Sequence, residues 1–243
     1  MSSTERVFVD ALIFSAFPSE MEYYHLNIPG LRKVTHGPME YSFGTLGSKS
    51  IALTHVGLGK LQATSSLHFA FAHFQPLIIL FTGTAGAVDM SLRTGNVVIG
   101  ARSLDADLFG IHQALTGTPF EEALVHRHRE GLIPEEYSAD PRLVELAVRE
   151  PSDWKKLGIL ATSDNFPSPK EKIESLRKFG VSSMDMETSA FYHVASLFKV
   201  PVLAIRSISN ELDHTGMDEK IASSDIKSGH RAAELALFVA KNY

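Results

Sequence analysis
The sequence of 243 residues contains no cysteine. That excludes disulfides, thiolate metal sites and cysteine nucleophiles together. It has no window of about 18 consecutive apolar residues, the length a membrane helix needs. Its first residues, Met1–Arg6, lack both an apolar core and a small-residue cleavage site, so a cytoplasmic protein is the expectation. An excess of positive charge is missing too. The formal net charge is −5, which gives no reason to expect nucleic acid or an anionic membrane as a partner. No repeat, low-complexity tract or linker divides the chain, and its length fits one domain over residues 1–243.

What remains is 44% hydrophobic and 21% charged, the make-up of an ordinary soluble enzyme, with strand-like and helix-like stretches in alternation. Val7–Phe17 is an apolar run rich in Val, Ile and Phe and reads as a buried strand. Pro18 follows, and Ser19 with Glu22 has capping-box spacing, so Glu20 falls in a first helical turn just past a strand. Taken alone, a carboxylate there is explained by the helix dipole. Met39–Leu46, a Gly47-Ser48 turn and Ser50–Val56 read as an antiparallel pair. Gly57-Leu58-Gly59-Lys60 then opens a helix over Leu61–Phe74. Its spacing is wrong for a Walker loop and too short for a dinucleotide fingerprint, so a tight strand-to-helix turn is the better reading.

Pro76–Phe81 reads as a buried strand ending in Thr82-Gly83-Thr84-Ala85-Gly86-Ala87, small residues that let backbone N–H groups approach a ligand. Val97–Ala101 is a further strand. Asp105 and Asp107 could suggest a cation site, but two loop carboxylates without further oxygen ligands favour surface or interface polarity. His126 and His128 lie in a basic cluster without partners for a metal, and a solvated face is the reading there. Pro141–Glu150 reads as a helix, Leu157–Thr162 as a strand, Pro169–Phe179 as a helix and Ser223–Val239 as a final amphipathic helix.

The chain is organised around Ser183-Met184-Asp185-Met186-Glu187-Thr188-Ser189-Ala190. Val181–Met186 reads as a strand, followed by a helix with Ala190, Val194, Leu197 and Phe198 on one face. Lys199 and Pro201 stop that helix, and Val202–Ile208 is a second strand ending in Ser209-Asn210. This is a βαβ pattern with Glu187 and Asn210 at the carboxyl ends of its two strands. In open α/β sheets ligands bind at that edge.

Three separated pieces, Thr82–Gly86, Met184–Thr188 and Arg206–Asn210, resemble the nucleoside phosphorylase/nucleosidase superfamily, and most closely its 5′-methylthioadenosine/S-adenosylhomocysteine nucleosidase branch. Gly57–Lys60, Leu92–Asn96 and Asp105–Asp107 agree with it. The resemblance implies an α/β fold, a single-domain three-layer sandwich with a mixed twisted central sheet flanked by helices. It further implies a homodimer that needs no cofactor or metal, has a small-molecule purine nucleoside as its partner, and works in methionine salvage.

By the same resemblance Glu20 binds and activates the attacking water, with Thr84 beside it. Met186 and Glu187 grip the ribose, Phe166 stacks on the base, and Ala85 and Gly86 border it. Phe17, Leu108 and Phe109 line the pocket of the 5′ substituent. Such chemistry is coherent: breaking an N-glycosidic bond puts positive charge on the sugar, which two carboxylates stabilise, and negative charge on the base.

Two positions depart from the branch. Asn210 stands where it has an aspartic acid able to protonate N7, and Pro167 stands where a backbone N–H would reach N1, which proline lacks. Both changes tilt toward a 6-oxopurine base, as in futalosine hydrolases and some purine nucleoside phosphorylases, or toward a relaxed specificity. A nucleoside-binding protein without catalysis is the reading from another class. Phosphorolysis would need cations around phosphate; Phe81 precedes Thr82-Gly83 and the turn at 57–60 offers only Lys60, which favours hydrolysis.

Overall fold
The computed structural model describes residues 6–108, 136–212 and 229–243. In chain order its strands and helices are β1 (Val7–Ser15), α1 (Glu22–Asn27), β2 (Arg32–His36), β3 (Met39–Leu46), β4 (Lys49–His55), α2 (Gly59–His73), β5 (Phe74–Ala87), β6 (Val97–Asp105) and β7 (Glu136–Ser138). They continue with α3 (Pro141–Arg149), β8 (Lys155–Thr162), α4 (Lys170–Lys178), β9 (Ser183–Asp185), α5 (Thr188–Phe198), β10 (Val202–Glu211) and α6 (His230–Asn242). The expected strands and helices outside the undescribed segments are all present. The main shift is β5, which runs on through Thr82–Ala87 instead of stopping at Phe81.

The apolar run at the amino end behaves as its composition dictates. Ala11, Leu12, Ile13 and Phe14 have no exposed surface, because β1 lies in mid-sheet with parallel neighbours β4 and β5. β3 and β4 form the expected antiparallel pair, and β2 adds to the outside of β3.

The reading of 181–210 as a βαβ unit in an open sheet is corrected. β9 and β10 are not neighbours: β9 lies antiparallel to the end of β5, whereas β10 lies parallel to β5 along most of its length. β10 also pairs with β6, β6 with β8 and β8 with β9. Five strands, β5-β10-β6-β8-β9, therefore close on themselves, and β1, β4, β3 and β2 extend from β5 as an open wing. Closure works because β5 is 14 residues long, enough to serve β1 with its first half and both β9 and β10 with its second. Glu187 and Asn210 converge through that long strand and not through a shared parallel edge.

Helices cover the sheet. α2 packs against α5, with the Phe71 and Phe198 rings stacked at 4.2 Å, and α6 packs on β5 and β10 beside α3. Phe191 of α5 stacks on Phe81 at 3.9 Å and meets Phe14 edge-on at 5.0 Å. Along the apolar face expected for α5, Ala190 and Val194 are buried, Phe198 is partly covered by Phe71, and Leu197 stays exposed. Lys199 ends the helix in the left-handed conformation, as the stop signal implied. Among the described residues no helix is long and apolar enough to cross a membrane.

Candidate active site
After β1 the chain turns through a short 3-10 segment, Pro18–Met21, and this turn is built by Glu20, not by the Ser19–Glu22 box expected of it. Glu20 Oε2 accepts the backbone N–H groups of Ala16 (3.0 Å) and Phe17 (3.1 Å). Its Oε1 accepts Thr84 N–H (2.7 Å) and the Thr84 hydroxyl (3.0 Å) from β5. Each carboxylate oxygen thus accepts two bonds and the group is locked. Of the four donors, only the Thr84 hydroxyl can rotate away and give its place to a water.

Gly83 makes this approach possible. A Cβ there would stand 2.6 Å from Glu20 Oε1 and 2.7 Å from Arg206 Nη1, and its φ of +144° also suits glycine.

Glu187 emerges between β9 and α5 with almost no exposed surface. Its Oε1 accepts Gly59 N–H at 2.9 Å, from the first turn of α2. Its Oε2 accepts Arg206 Nη2 at 3.3 Å. Burial pushes its carboxyl up, to about 7; Arg206 opposes that shift, Asp185 adds to it, Gly59 N–H opposes it and Glu20 adds a little more. The Gly57–Lys60 stretch is a strand-to-helix turn, with φ near +90° at both glycines, and it serves a carboxylate and not a phosphate.

Arg206 was read only as part of a motif, yet it ties the centre together. It is fully buried on β10, with Nε on Asp185 Oδ2 (2.7 Å), Nη1 on Thr82 O (3.3 Å) and its guanidinium carbon 3.9 Å from the Phe81 ring centroid. Asp185 also accepts Thr162 Oγ1 (2.9 Å), the N–H groups of Glu187 (3.1 Å) and Thr188 (3.0 Å), and the Thr188 hydroxyl. It thereby caps α5 and fixes the backbone of Glu187. A signal for this pair was present: an arginine inside the apolar run Leu203–Ile208, two residues of opposite charge upstream, and the rule that a buried cation must be paired.

Asn210 is aimed by a register shift between Ile208 and Asn210, an irregularity of the kind that redirects side chains next to sites. Its Oδ1 accepts the Ser209 hydroxyl at 3.0 Å. Its Nδ2 is buried and, among the described residues, has no partner. An unused donor of this kind suits an acceptor on a ligand.

These groups face one cavity of about 340 Å³. Glu20, Thr84, Ala85, Gly86, Met186, Glu187 and Asn210 line it, and Phe17 and Phe166 do so at its mouth, where each keeps more than 40% of its surface exposed. Pro167 is exposed and does not line it, nor does Leu108; Phe109 lies outside the described residues. Ala16, Leu58, Asp185, Ser209 and Leu212 join the lining without having been singled out. Among the described lining residues there are three carboxylates and no lysine, arginine or histidine. Nor do the described residues hold a group of three or more His, Asp or Glu side chains that could bind a metal.

Asp105 and Asp107, expected as surface or interface polarity, are instead half-buried around Lys60 Nζ (2.9 Å to Asp105 Oδ1, 2.8 Å to Asp107 Oδ2). The lysine considered for a phosphate is therefore already neutralised.

A family model described as the phosphorylase superfamily matches residues 10–242. The 5′-methylthioadenosine/S-adenosylhomocysteine nucleosidase of Halalkalibacterium halodurans is 28% identical over 219 residues, 86% of this chain and 87% of that protein. The structure of the Streptococcus pneumoniae MTA/SAH nucleosidase in complex with 8-aminoadenine is similar with a TM-score of 0.82 and 26% identity, over 96% of this chain and 100% of that one. Futalosine hydrolase of Helicobacter pylori shares the fold, with a TM-score of 0.81 and 22% identity over 98% of both chains. With nearly its whole length matched, and the site residues assembled in one cavity, this chain belongs to the phosphorylase superfamily.

Proposed function
We propose that this chain hydrolyses the N-glycosidic bond of 5′-substituted purine nucleosides, with 5′-methylthioadenosine and S-adenosylhomocysteine as first substrates. The observation that carries this reading is that Glu20 and Glu187, far apart in sequence, line one hollow together with the unpartnered amide of Asn210. Glu187 accepts the sugar hydroxyls, and Met186 packs beside the ribose. Glu20, after the Thr84 hydroxyl swings aside, holds the attacking water and takes its proton as the bond to the base breaks. The two carboxylates stabilise the cationic sugar of the transition state. Phe166 stacks on the base, Ala85 and Gly86 border it, and Asn210 Nδ2 bonds N7 of the departing purine.

Water is the nucleophile because the cavity wall offers a phosphate dianion three carboxylates and no cation among its described residues. Of the described cations beside it, Arg206 is already held by two carboxylates, Lys60 by three and Lys172 by Asp107. The similarity to MTA/SAH nucleosidases supports the same reaction.

A second reading keeps the site and changes the base to a 6-oxopurine, Pro167 having no N–H to offer N1. Asn210 favours it: an amide can bond N7 but cannot give up a proton, which burdens adenine as a leaving group. We further read residues 1–243 as one layered α/β domain that works as a cytoplasmic homodimer. In it a second copy covers Phe17, Leu58 and Phe166 at the mouth and completes the pocket of the 5′ substituent.

One experiment tests the reaction and its substrate: purified protein with methylthioadenosine, adenosylhomocysteine, inosine and futalosine, with and without phosphate, followed by quantification of base and sugar. Free base with free 5′-substituted ribose supports the proposal. Ribose 1-phosphate formed only with phosphate defeats it, and so does binding without turnover of any of the four.

A further inference from the structure
Just outside the cavity lies a cluster of charges that the proposed chemistry does not use. Lys60 Nζ bonds both oxygens of Asp105 (2.9 and 3.0 Å) and Oδ2 of Asp107 (2.8 Å), so its three donors are spent. Lys172 Nζ reaches Asp107 Oδ1 and the Ser163 hydroxyl. Asp107 also accepts Ser163 Oγ (2.6 Å) and Asp164 N–H (2.7 Å). The cluster thereby joins the end of β6, the loop after β8, helix α4 and the first turn of α2.

Two adjacent peptide N–H groups leave that turn of α2. That of Lys60 goes to Asp164 Oδ1 at 2.9 Å, and that of Gly59 goes to Glu187 Oε1 at 2.9 Å. Peptide planes are stiff, and neighbouring ones in a turn cannot be aimed independently. A hydrogen bond to a carboxylate weakens steeply as it bends, so a small rotation of the turn is felt at Glu187.

We infer that Lys60 and Asp164 are positioning residues for Glu187: with Asp105 and Asp107 they anchor the first turn of α2 so that Gly59 N–H is held against the sugar-binding carboxylate. The inference rests on the role given to Glu187 above. The other charged groups facing Glu187 are Arg206 from β10, Asp185 from β9 and Glu20 from the turn after β1. The N–H of Gly59 is the contribution of α2, and it favours the ionised form that accepts sugar hydroxyls.

Two readouts test this on the full chain. One is a carbon-13 NMR titration of the Glu187 side-chain carboxyl without ligand, its signal assigned by its loss in Glu187→Gln. The other is the acid limb of kcat/KM for methylthioadenosine. Asp164→Ala is the decisive variant, because the two explanations give it opposite signs. Deleting an anion lowers the Glu187 midpoint if the cluster acts only through its field; loosening the turn raises it.

The expected result is a rise on the order of half a pH unit, with the acid limb moving the same way. Lys60→Met raises the midpoint as well. A folded Asp164→Ala protein whose midpoint is unchanged or lower overturns the inference. Its carboxylate is half exposed, so the fold tolerates its loss even if Lys60→Met does not fold. Absence of nucleoside turnover counts against the proposed function alone, and the NMR midpoint still decides the role of Lys60 and Asp164.

Discussion

A cation with no exposed atom must be met by anions, and Arg206 is met by Asp185 and Glu187 together. Burial, against the opposing pull of Arg206, leaves Glu187 with a proton affinity near neutrality, which has consequences with definite signs. Activity that needs the ionised form falls on the acid side, with an apparent midpoint in kcat/KM near pH 7, and a pH–rate series on the parent protein checks it. Stability runs the other way. The carboxyl holds its proton in the fold to a higher pH than in the unfolded chain, so its share of stability is complete below about pH 4.5 and is lost as pH rises through about 7. Denaturant unfolding of Glu187→Gln and the parent at pH 5 and pH 8 therefore shows the variant gaining relative stability at the higher pH.

At Asn210 the missing acid sets the rate with an adenine leaving group. Asn210→Asp raises adenine release from methylthioadenosine by about 10²-fold, the low end of general acid catalysis. An unchanged rate would mean that the amide is not limiting. Sequence reading singled out Glu187 and Asn210 because each is a polar residue at the end of an apolar run, and Glu20 only through the family resemblance. It passed over Asp185 because that carboxylate binds the protein itself, and only coordinates show that Arg206 points at it.

At the scale of elements, the centre depends on how closely β5 lets its neighbours approach. Gly83→Ala would drive a methyl between Glu20 and Arg206, two groups pinned by their own hydrogen bonds and unable to retreat. Misplacing catalytic groups by an ångström costs about 10²-fold in rate. We expect a loss of at least that size in kcat/KM, with a lower melting temperature; near-normal activity would show that Glu20 has room to move. The strands themselves were legible from period and punctuation, β1 through its β-branched residues and β3–β4 through the turn at Gly47-Ser48. Pairing beyond that hairpin was not, because it is decided by contacts between distant segments. Nothing local in Ser183–Asp185 says that it lies against the end of β5 and away from β10. The same blindness hid Gly59, whose glycine reads as a turn residue while its N–H completes a carboxylate.

For the whole molecule, electrostatics selects the nucleophile. A net charge of −5 and a cavity walled by Glu20, Asp185 and Glu187 repel a phosphate dianion before any contact is made. Inorganic phosphate at physiological concentration therefore neither accelerates the reaction nor competes with the nucleoside. Initial rates at constant ionic strength, with phosphate varied against chloride, check this.

The circuit of five strands has one more effect. Among the described residues it leaves the sheet an open margin on the outer side of Arg32–His36. A second molecule adding there parallel and in register would lay its own Arg32 and Lys33 alongside these, like charge against like. This exposed edge thus carries its own brake on fibrous growth.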